Sequence, residues 1–312
     1  MCWWRPRRSR FNRTLSFLVP KEKDLIKKFF KVLENPSPDI RVGIGDDGAV
    51  ISPDSDIVTT IDTSREGTHF PEKLEPKYIA YRSLAVACSD IIAMGAIPNS
   101  FLLSISHTDA NNDWFASFSD GVKEFCEDYK CNLIGGDITK GTTCITPTFF
   151  GKLLGKPLLR SSAKVDDCIF ISNKLGKGYV GRKNLQDRES NHFLRPALPV
   201  NLIESIATYA TSCIDVSDGF IIDLERICEA SKASYRVALN SNHTSTGKAD
   251  LYCGDDYVLC FTSSRSNLEK VLDISKDILH IGFITNKSNQ NEILYDNQKV
   301  SFDTKGWDSF NQ

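Results

Sequence analysis

The chain has 312 residues, 41% of them hydrophobic and 25% charged, with a formal net charge of −2. A chain of this length buries a core without covalent staples and has room for two domains. The near-neutral charge gives no basic field for nucleic acid, and no apolar run approaches the roughly 18 residues that a membrane-spanning helix needs. The ten cysteines form no Cys-x-x-Cys pair, which argues against a zinc site of that kind, and a disulfide framework belongs to smaller secreted chains. Free thiols in a reducing cytosol, and hence a cytoplasmic protein, are the expectation.

Residues 1–20 are rich in arginine and contain no acidic residue. They read as an atypical or disordered extension, a start codon placed too far upstream, or a transit peptide. From Lys21 onward the pattern is that of a folded chain. Asp24–Leu33 is an amphipathic helix by periodicity, with Leu25, Phe29 and Val32 near one face. Val42 to Ile51 reads as strand, acidic turn and strand around Asp46-Asp47-Gly48, and Ile57 to Asp62 as a β-branched strand. Pro76 opens a long helix over 77–94 that Gly95 ends. A strand over 101–106, a helix over 113–129, a Gly135-Gly136-Asp137 turn at a strand end and a strand over 144–154 come next.

The second half opens near Gly155-Lys156-Pro157. It holds a strand over 167–172, a glycine-bearing turn at 175–178 and a helix over 203–209. Ser212 to Asp218 then leads into a helix running to about Ala230, and a further strand spans 257–261. Strands and helices mix in both halves, which favours two mixed α/β or α+β domains, 21–155 and 156–312. No short-period repeat is present, and the pattern leaves strand order open.

Chemistry concentrates in aspartates set among apolar residues. Asp46 and Asp47 close an apolar strand, and period-two alternation puts Thr60 and Asp62 on one strand face. Asp90 has Val86, Ala87, Ala93 and Met94 as its helical neighbours. Asp137 follows two glycines, and Asp215 and Asp218 flank Ser217 before a helix. Each alone has a plain reading: Asp218 as a helix cap, Asp46, Asp47 and Asp137 as turn residues, Asp62 as a solvated strand end, Asp90 as the partner of an arginine. Converging carboxylates behave differently. Two unit charges about 4 Å apart repel by about 4 kcal/mol at an effective dielectric near 20, so pKa values rise or cations bind. Mg²⁺ takes a few carboxylates together with waters and substrate phosphates, so aspartates beside Gly-Gly suit a metal-nucleotide cradle. The P-loop pattern G-x-x-x-x-G-K-[ST] is absent, as are the protein-kinase H-R-D and D-F-G sets.

An ordered set of stretches resembles the thiamine-monophosphate kinase family. They are Gly43-Ile-Gly-Asp-Asp-Gly-Ala-Val50, Thr60-Ile-Asp-Thr63, Gly67-Thr-His-Phe70, Leu84 to Ala96, Leu133 to Gly141, Ile214 to Gly219, Gly254-Asp-Asp-Tyr257 and Gly306-Trp-Asp-Ser-Phe310. The resemblance implies a two-domain fold like that of aminoimidazole-ribonucleotide synthetase, with an N-terminal α/β domain that pairs with a second subunit and a C-terminal α+β domain. It implies ATP-dependent phosphorylation of thiamine monophosphate, several Mg²⁺ ions and a homodimer, with no nucleic acid or membrane partner. By motif position, Asp47, Thr60, Asp62, Asp90, Asp137, Asp215 and Asp218 correspond to magnesium ligands, with Ile61 contributing through its backbone carbonyl. Gly136, Asp137, Arg160 and Ser217 correspond to ATP contacts, and His69, Asp255 and Trp307 to the acceptor site. No residue is expected to act as a covalent nucleophile.

Four departures bear on activity. Ile61 stands where the family commonly has threonine, Ala87 where it has asparagine and Asp255 where it has glutamate, and the 239–254 segment is short. Two alternatives stay open: a catalytically degenerate homologue that binds nucleotide or thiamine phosphate, and another ATP-dependent synthetase of the superfamily.

Overall fold

The computed structural model describes residues 21–34, 37–44, 48–188 and 190–307. The chain starts with a helical segment whose α-helical part is α1 (Glu22–Leu25). It then widens into a π-turn over Ile26–Phe30 and tightens to a 3₁₀ turn over Lys31–Leu33. The amphipathic face therefore differs from the expected one. Leu25, Phe29 and Phe30 are buried, while Val32 is 70% exposed. The wide turn takes an extra residue and rotates the residues after it off the α-helical stripe.

A short hairpin of β1 (Ile40–Val42) and β2 (Val50–Ile51) precedes the first large sheet. That sheet combines β3 (Ile57–Ile61), β4 (Ser64–Arg65), β5 (Ala96–His107), β6 (Asn132–Lys140) and β7 (Cys144–Leu153), ordered β3-β7-β5-β6 with β4 on β7. Helix α2 (Pro76–Ala93) feeds β5, and helix α3 (Asn112–Tyr129) makes the crossover between the parallel strands β5 and β6. Pro76 sits in the first turn of α2, and Gly95 at φ +82° turns the chain out of it. The Asn111 side chain caps α3 by accepting from the amides of Asp113 and Trp114 at 2.8 and 3.3 Å. Asp137 does not stand in a turn at a strand end. β6 runs through Gly135-Gly136-Asp137 to Lys140 because the pairing with β5 continues to His107. A Cβ on Gly136 would lie 2.0 Å from the Leu103 carbonyl oxygen, so the close approach of the two strands demands glycine there.

The second half is built from β8 (Cys168–Ile171), α4 (Lys177–Lys183), α5 (Val200–Tyr209), β9 (Ala210–Asp215), α6 (Phe220–Ala230), β10 (Ala233–Leu239), β11 (Leu259–Ser263), α7 (Leu268–Leu272), β12 (Leu279–Asn286), β13 (Glu292–Tyr295) and β14 (Gln298–Lys299). Its strands form one sheet ordered β14-β13-β10-β12-β8-β11-β9. Every residue of the central strands β8 and β11 is buried, including Thr262 and Ser263 at the end of β11. β11 starts two residues later than the pattern suggests. Asp255 and Tyr257 are left-handed, at φ +62° and +49°, so the chain is kinked where an extended strand was expected.

One apolar core packs α2 and α3 on the first sheet and continues into the second half through Leu198, Ile203, Phe261 and Ile278. A second core lies under α6, with Phe220, Leu224, Val216, Tyr235 and Ile284 fully buried or nearly so. Helix α2 is buried on almost every side because it touches the first sheet, α3 and β9. That central position brings residues from both halves of the chain to one cavity.

Candidate functional site

A cavity of about 590 Å³ lies along one face of α2. Its other walls are the loop after β4, the turn between β9 and α6, the 253–257 segment and Trp307. Arg82, Val86 and Asp90 all line it. They are four residues apart along α2 and so form one stripe of the helix.

One wall of the cavity is acidic. Asp62, Asp90, Asp215 and Asp218 all face it, from β3's end, α2, β9's end and the following turn. The Thr60 hydroxyl donates to Asp90 Oδ2 at 2.9 Å, and the Ser89 hydroxyl donates to Asp215 Oδ2 at 2.7 Å. Adjacent residues of α2 thus supply one carboxylate, Asp90, and the hydroxyl that holds another, Asp215. Burial pushes the Asp90 carboxyl above its ordinary range; the Thr60 hydrogen bond and Arg160 oppose the rise, and Asp62 and Asp218 add to it. Burial likewise raises Asp215 strongly, helped by Asp90 and Asp223 and opposed by Ser89 and Arg160. Asp62 is raised by burial and by Asp218, against its bond from the Thr63 amide and the charges of His69 and Arg82. These groups feel one another, as converging carboxylates must. Among the described residues, however, no three His, Cys, Asp or Glu side chains approach closely enough to enclose a metal ion between them. The donor set is all oxygen, which suits an ion such as Mg²⁺ that keeps waters and takes its remaining ligands from substrate.

Asp218 is not the cap of α6. The residue before that helix is Gly219, and the buried Asp223 secures the turn instead. Asp223 Oδ2 accepts from the amides of Ser217, Asp218 and Gly219 at 3.1, 3.2 and 3.2 Å. Arg226 then bridges Asp223 and Asp218 at 2.5 and 2.7 Å. The turn carrying Ser217 and Asp218 is fixed from below, which leaves both residues on the cavity wall.

The same cavity holds His69, Asp255 and Trp307 beside the acidic wall, with the Asp255 amide donating to the Ser217 carbonyl at 2.8 Å. His69 Nδ1 accepts from the Arg65 amide at 3.0 Å, and burial lowers the ring's pKa. The neutral ring therefore carries its proton on Nε2 and presents a donor. Asp255 Oδ1 accepts from Arg82 at 2.5 Å and from the Tyr257 hydroxyl at 3.0 Å, and Arg182 stands 3.8 Å from Oδ2. The Trp307 amide donates to the Asp218 carbonyl at 2.8 Å, which ties the C-terminal segment to the acidic wall.

The remaining expected residues lie elsewhere or apart. Ile61 lines the cavity with a side chain 65% exposed that offers no oxygen. Arg160 is exposed in the 3₁₀ turn Arg160–Ser162, and its charge reaches Asp90 and Asp215. Gly136 and Asp137 line a second cavity of about 470 Å³, mostly apolar, with Ile26, Phe30, Ile44 and Phe150. Asp46, Asp47, the 1–20 extension and residues 308–310 of the Gly306-Trp-Asp-Ser-Phe stretch lie outside the described residues. Arg82, Ser89, Asp223 and Tyr257 were missed in the sequence. Arg82 sits eight residues before Asp90 on the same helical stripe, a spacing that could have pointed to it.

The chain matches the family described as AIR synthase related protein, N-terminal domain, over residues 45–156. It is 36% identical to the thiamine-monophosphate kinase of Buchnera aphidicola subsp. Schizaphis graminum (strain Sg), covering 93% of this chain and 98% of that one. It is 32% identical to the thiamine-monophosphate kinase of Escherichia coli (strain K12), again over 93% of this chain and 98% of that one. Among solved structures it is similar to AaThiL complexed with AMPPCP and TMP, at 28% identity and a TM-score of 0.70, covering 96% of this chain and 99% of that chain. The expected mixed α/β and α+β, aminoimidazole-ribonucleotide-synthetase-like fold agrees with these likenesses. At this identity and coverage, the chain belongs to the thiamine-monophosphate kinase family.

Proposed function

We propose that the protein transfers the terminal phosphoryl group of ATP to the phosphate of thiamine monophosphate, giving thiamine diphosphate and ADP. The observation that carries this reading is the cavity itself, which gathers four aspartates with a histidine donor, a further carboxylate and a tryptophan. A phosphate oxygen of the acceptor attacks the γ-phosphorus, and the bond from that phosphorus to the bridging oxygen of ADP breaks. Such a transfer needs alignment and charge neutralisation rather than a protein nucleophile.

The residues divide the work. Asp62, Asp90, Asp215 and Asp218, with Thr60, the Ile61 carbonyl, Asp137 and Asp47, are our candidates for holding Mg²⁺, which when bound neutralises the phosphates of donor and acceptor. The raised carboxyls of Asp90 and Asp215 support that assignment, because Arg160 is the cation that opposes the rise in both and it does not cancel it. Arg160, Ser217, Gly136 and Asp137 are assigned to the nucleotide. His69, Asp255 and Trp307 are assigned to the acceptor, whose heterocycle suits stacking on an indole face. Direct transfer is favoured because His69 presents a donor and the thiols of Cys88 and Cys213 are buried with pKa values pushed far up.

We assign residues 21–155 to an N-terminal domain and 156–312 to a C-terminal one, and we propose a homodimer through the N-terminal domain. β6 is an edge strand among the described residues, and the second, mostly apolar cavity adjoins it. Both features call for cover. Nine described cysteines are free, which suits the cytoplasm. The test is an ADP-release assay with ATP, Mg²⁺ and a panel of phosphorylated acceptors. Turnover with thiamine monophosphate alone supports the reading. Turnover with a different phosphate identifies another synthetase, and binding without turnover identifies a degenerate homologue.

A further inference from the structure

Arg82 is 3% exposed, which is rare for a residue whose cation is so costly to desolvate. Its guanidinium is fully engaged. Nε donates to the His69 carbonyl at 3.1 Å, one terminal nitrogen donates to the Phe193 carbonyl at 2.8 Å, and the other donates to Asp255 Oδ1 at 2.5 Å. The plane lies over the Phe193 ring, 3.8 Å from its centroid. These partners come from three segments: the loop after β4, the segment before α5, and the kinked turn before β11. Two of them, His69 and Asp255, are the residues assigned above to the acceptor.

We propose that Arg82 is the positioning residue of the acceptor end. It fixes the His69 backbone and the Asp255 carboxylate in one frame and ties that frame to α2. It does not need to touch the acceptor. Asp255 Oδ1 accepts from Arg82 and Tyr257, so a ligand would meet Oδ2, which now has Arg182 3.8 Å away. The same helix carries Asp90, eight residues further on, so the rise along α2 sets the backbone positions of Arg82 and Asp90 about 12 Å apart. A rigid helix that carries both Arg82 and Asp90 fixes the acceptor frame relative to the carboxylates. A lysine cannot replace this residue, because a single ammonium lacks the planar fork that spans three partners.

The inference rests on the proposed reaction and is tested beside it. Steady-state kinetics with thiamine monophosphate and with ATP are compared for the wild type, Arg82→Lys, Arg82→Gln, Asp255→Asn and the Arg82→Gln/Asp255→Asn pair, with melting curves for each. Arg82→Lys is expected to raise KM for thiamine monophosphate about tenfold or more, while KM for ATP moves less than about twofold. The double variant is expected to lose less than the product of the single losses, because both changes dissolve one frame. If Arg82→Gln does not fold, Arg82→Lys and Asp255→Asn still carry the comparison. A wild type that turns over, with an Arg82→Lys variant that melts earlier but keeps its KM for thiamine monophosphate, overturns the inference and leaves the functional reading standing. A shift of both KM values in parallel does the same. A wild type with neither turnover nor calorimetric binding of thiamine monophosphate overturns the functional reading, and the inference falls with it.

Discussion

Replacing Asp90 by asparagine separates the functional reading of the acidic cluster from a structural one. Asn is nearly isosteric and keeps an oxygen that accepts from the Thr60 hydroxyl, now 2.9 Å from Asp90 Oδ2. What changes is one negative charge. A unit charge about 4 Å from a cation is worth about 4 kcal/mol at an effective dielectric near 20. Losing even about 2.7 kcal/mol of transition-state stabilisation lowers turnover about a hundredfold. Stability should move the other way. Burial raises the Asp90 carboxyl, with Asp62 and Asp218 adding to the rise, so ionising it opposes folding. The stability this group supplies is full below its unfolded pKa, near 4, and is lost as pH rises through the raised folded value. Asn is neutral throughout, so Asp90→Asn should melt no earlier than the wild type at neutral pH without metal. Turnover against magnesium concentration, beside calorimetric melting, checks both parts. Added magnesium should recover part of the loss. A variant that melts earlier yet turns over at the wild-type rate refutes the argument and removes Asp90 from the site.

Two further substitutions probe the supports of the site. Asp223→Ala strips the acceptor from three amides and leaves Arg226 with Asp218 alone, and should cost about 3 kcal/mol in denaturant unfolding while lowering turnover of the folded fraction; unchanged turnover would free the Ser217-Asp218 turn from this support. Asp256 is fully buried, accepts from the Gly176 and Gly178 amides, and has its carboxyl pushed up by burial to about 7. Its stabilisation is therefore present below about pH 4 and lost as pH rises through about 7, so wild-type stability should fall relative to Asp256→Asn across that interval. Parallel melting-temperature profiles for the two proteins would contradict this.

The sequence shows α2 clearly because Pro76, a long apolar run and Gly95 bracket it, and the structure places it over Pro76–Ala93. The carboxylates were legible for a related reason: an aspartate among Val86, Ala87 and Ala93 stands out against its surroundings. Supports were harder to see. Asp223 looks like a solvated helix residue until its three amide partners are known, and Arg82 like a surface arginine until Phe193 and Asp255 close over it. Both depend on contacts distant in sequence or on turn geometry that local periodicity does not carry. The first helix failed for a local reason, since a π-turn leaves no composition signal. The Gly135-Gly136-Asp137 stretch failed because strand pairing across β5 overrides the turn preference of its residues.

The central claim is direct transfer from ATP to thiamine monophosphate, and γ-labelled ATP tests it most directly. With magnesium and thiamine monophosphate present, the label should appear in thiamine diphosphate, one for each ADP formed, with no labelled protein on the time scale of turnover. Label released as inorganic phosphate without thiamine diphosphate, or a labelled protein formed and discharged at the turnover rate, would contradict it.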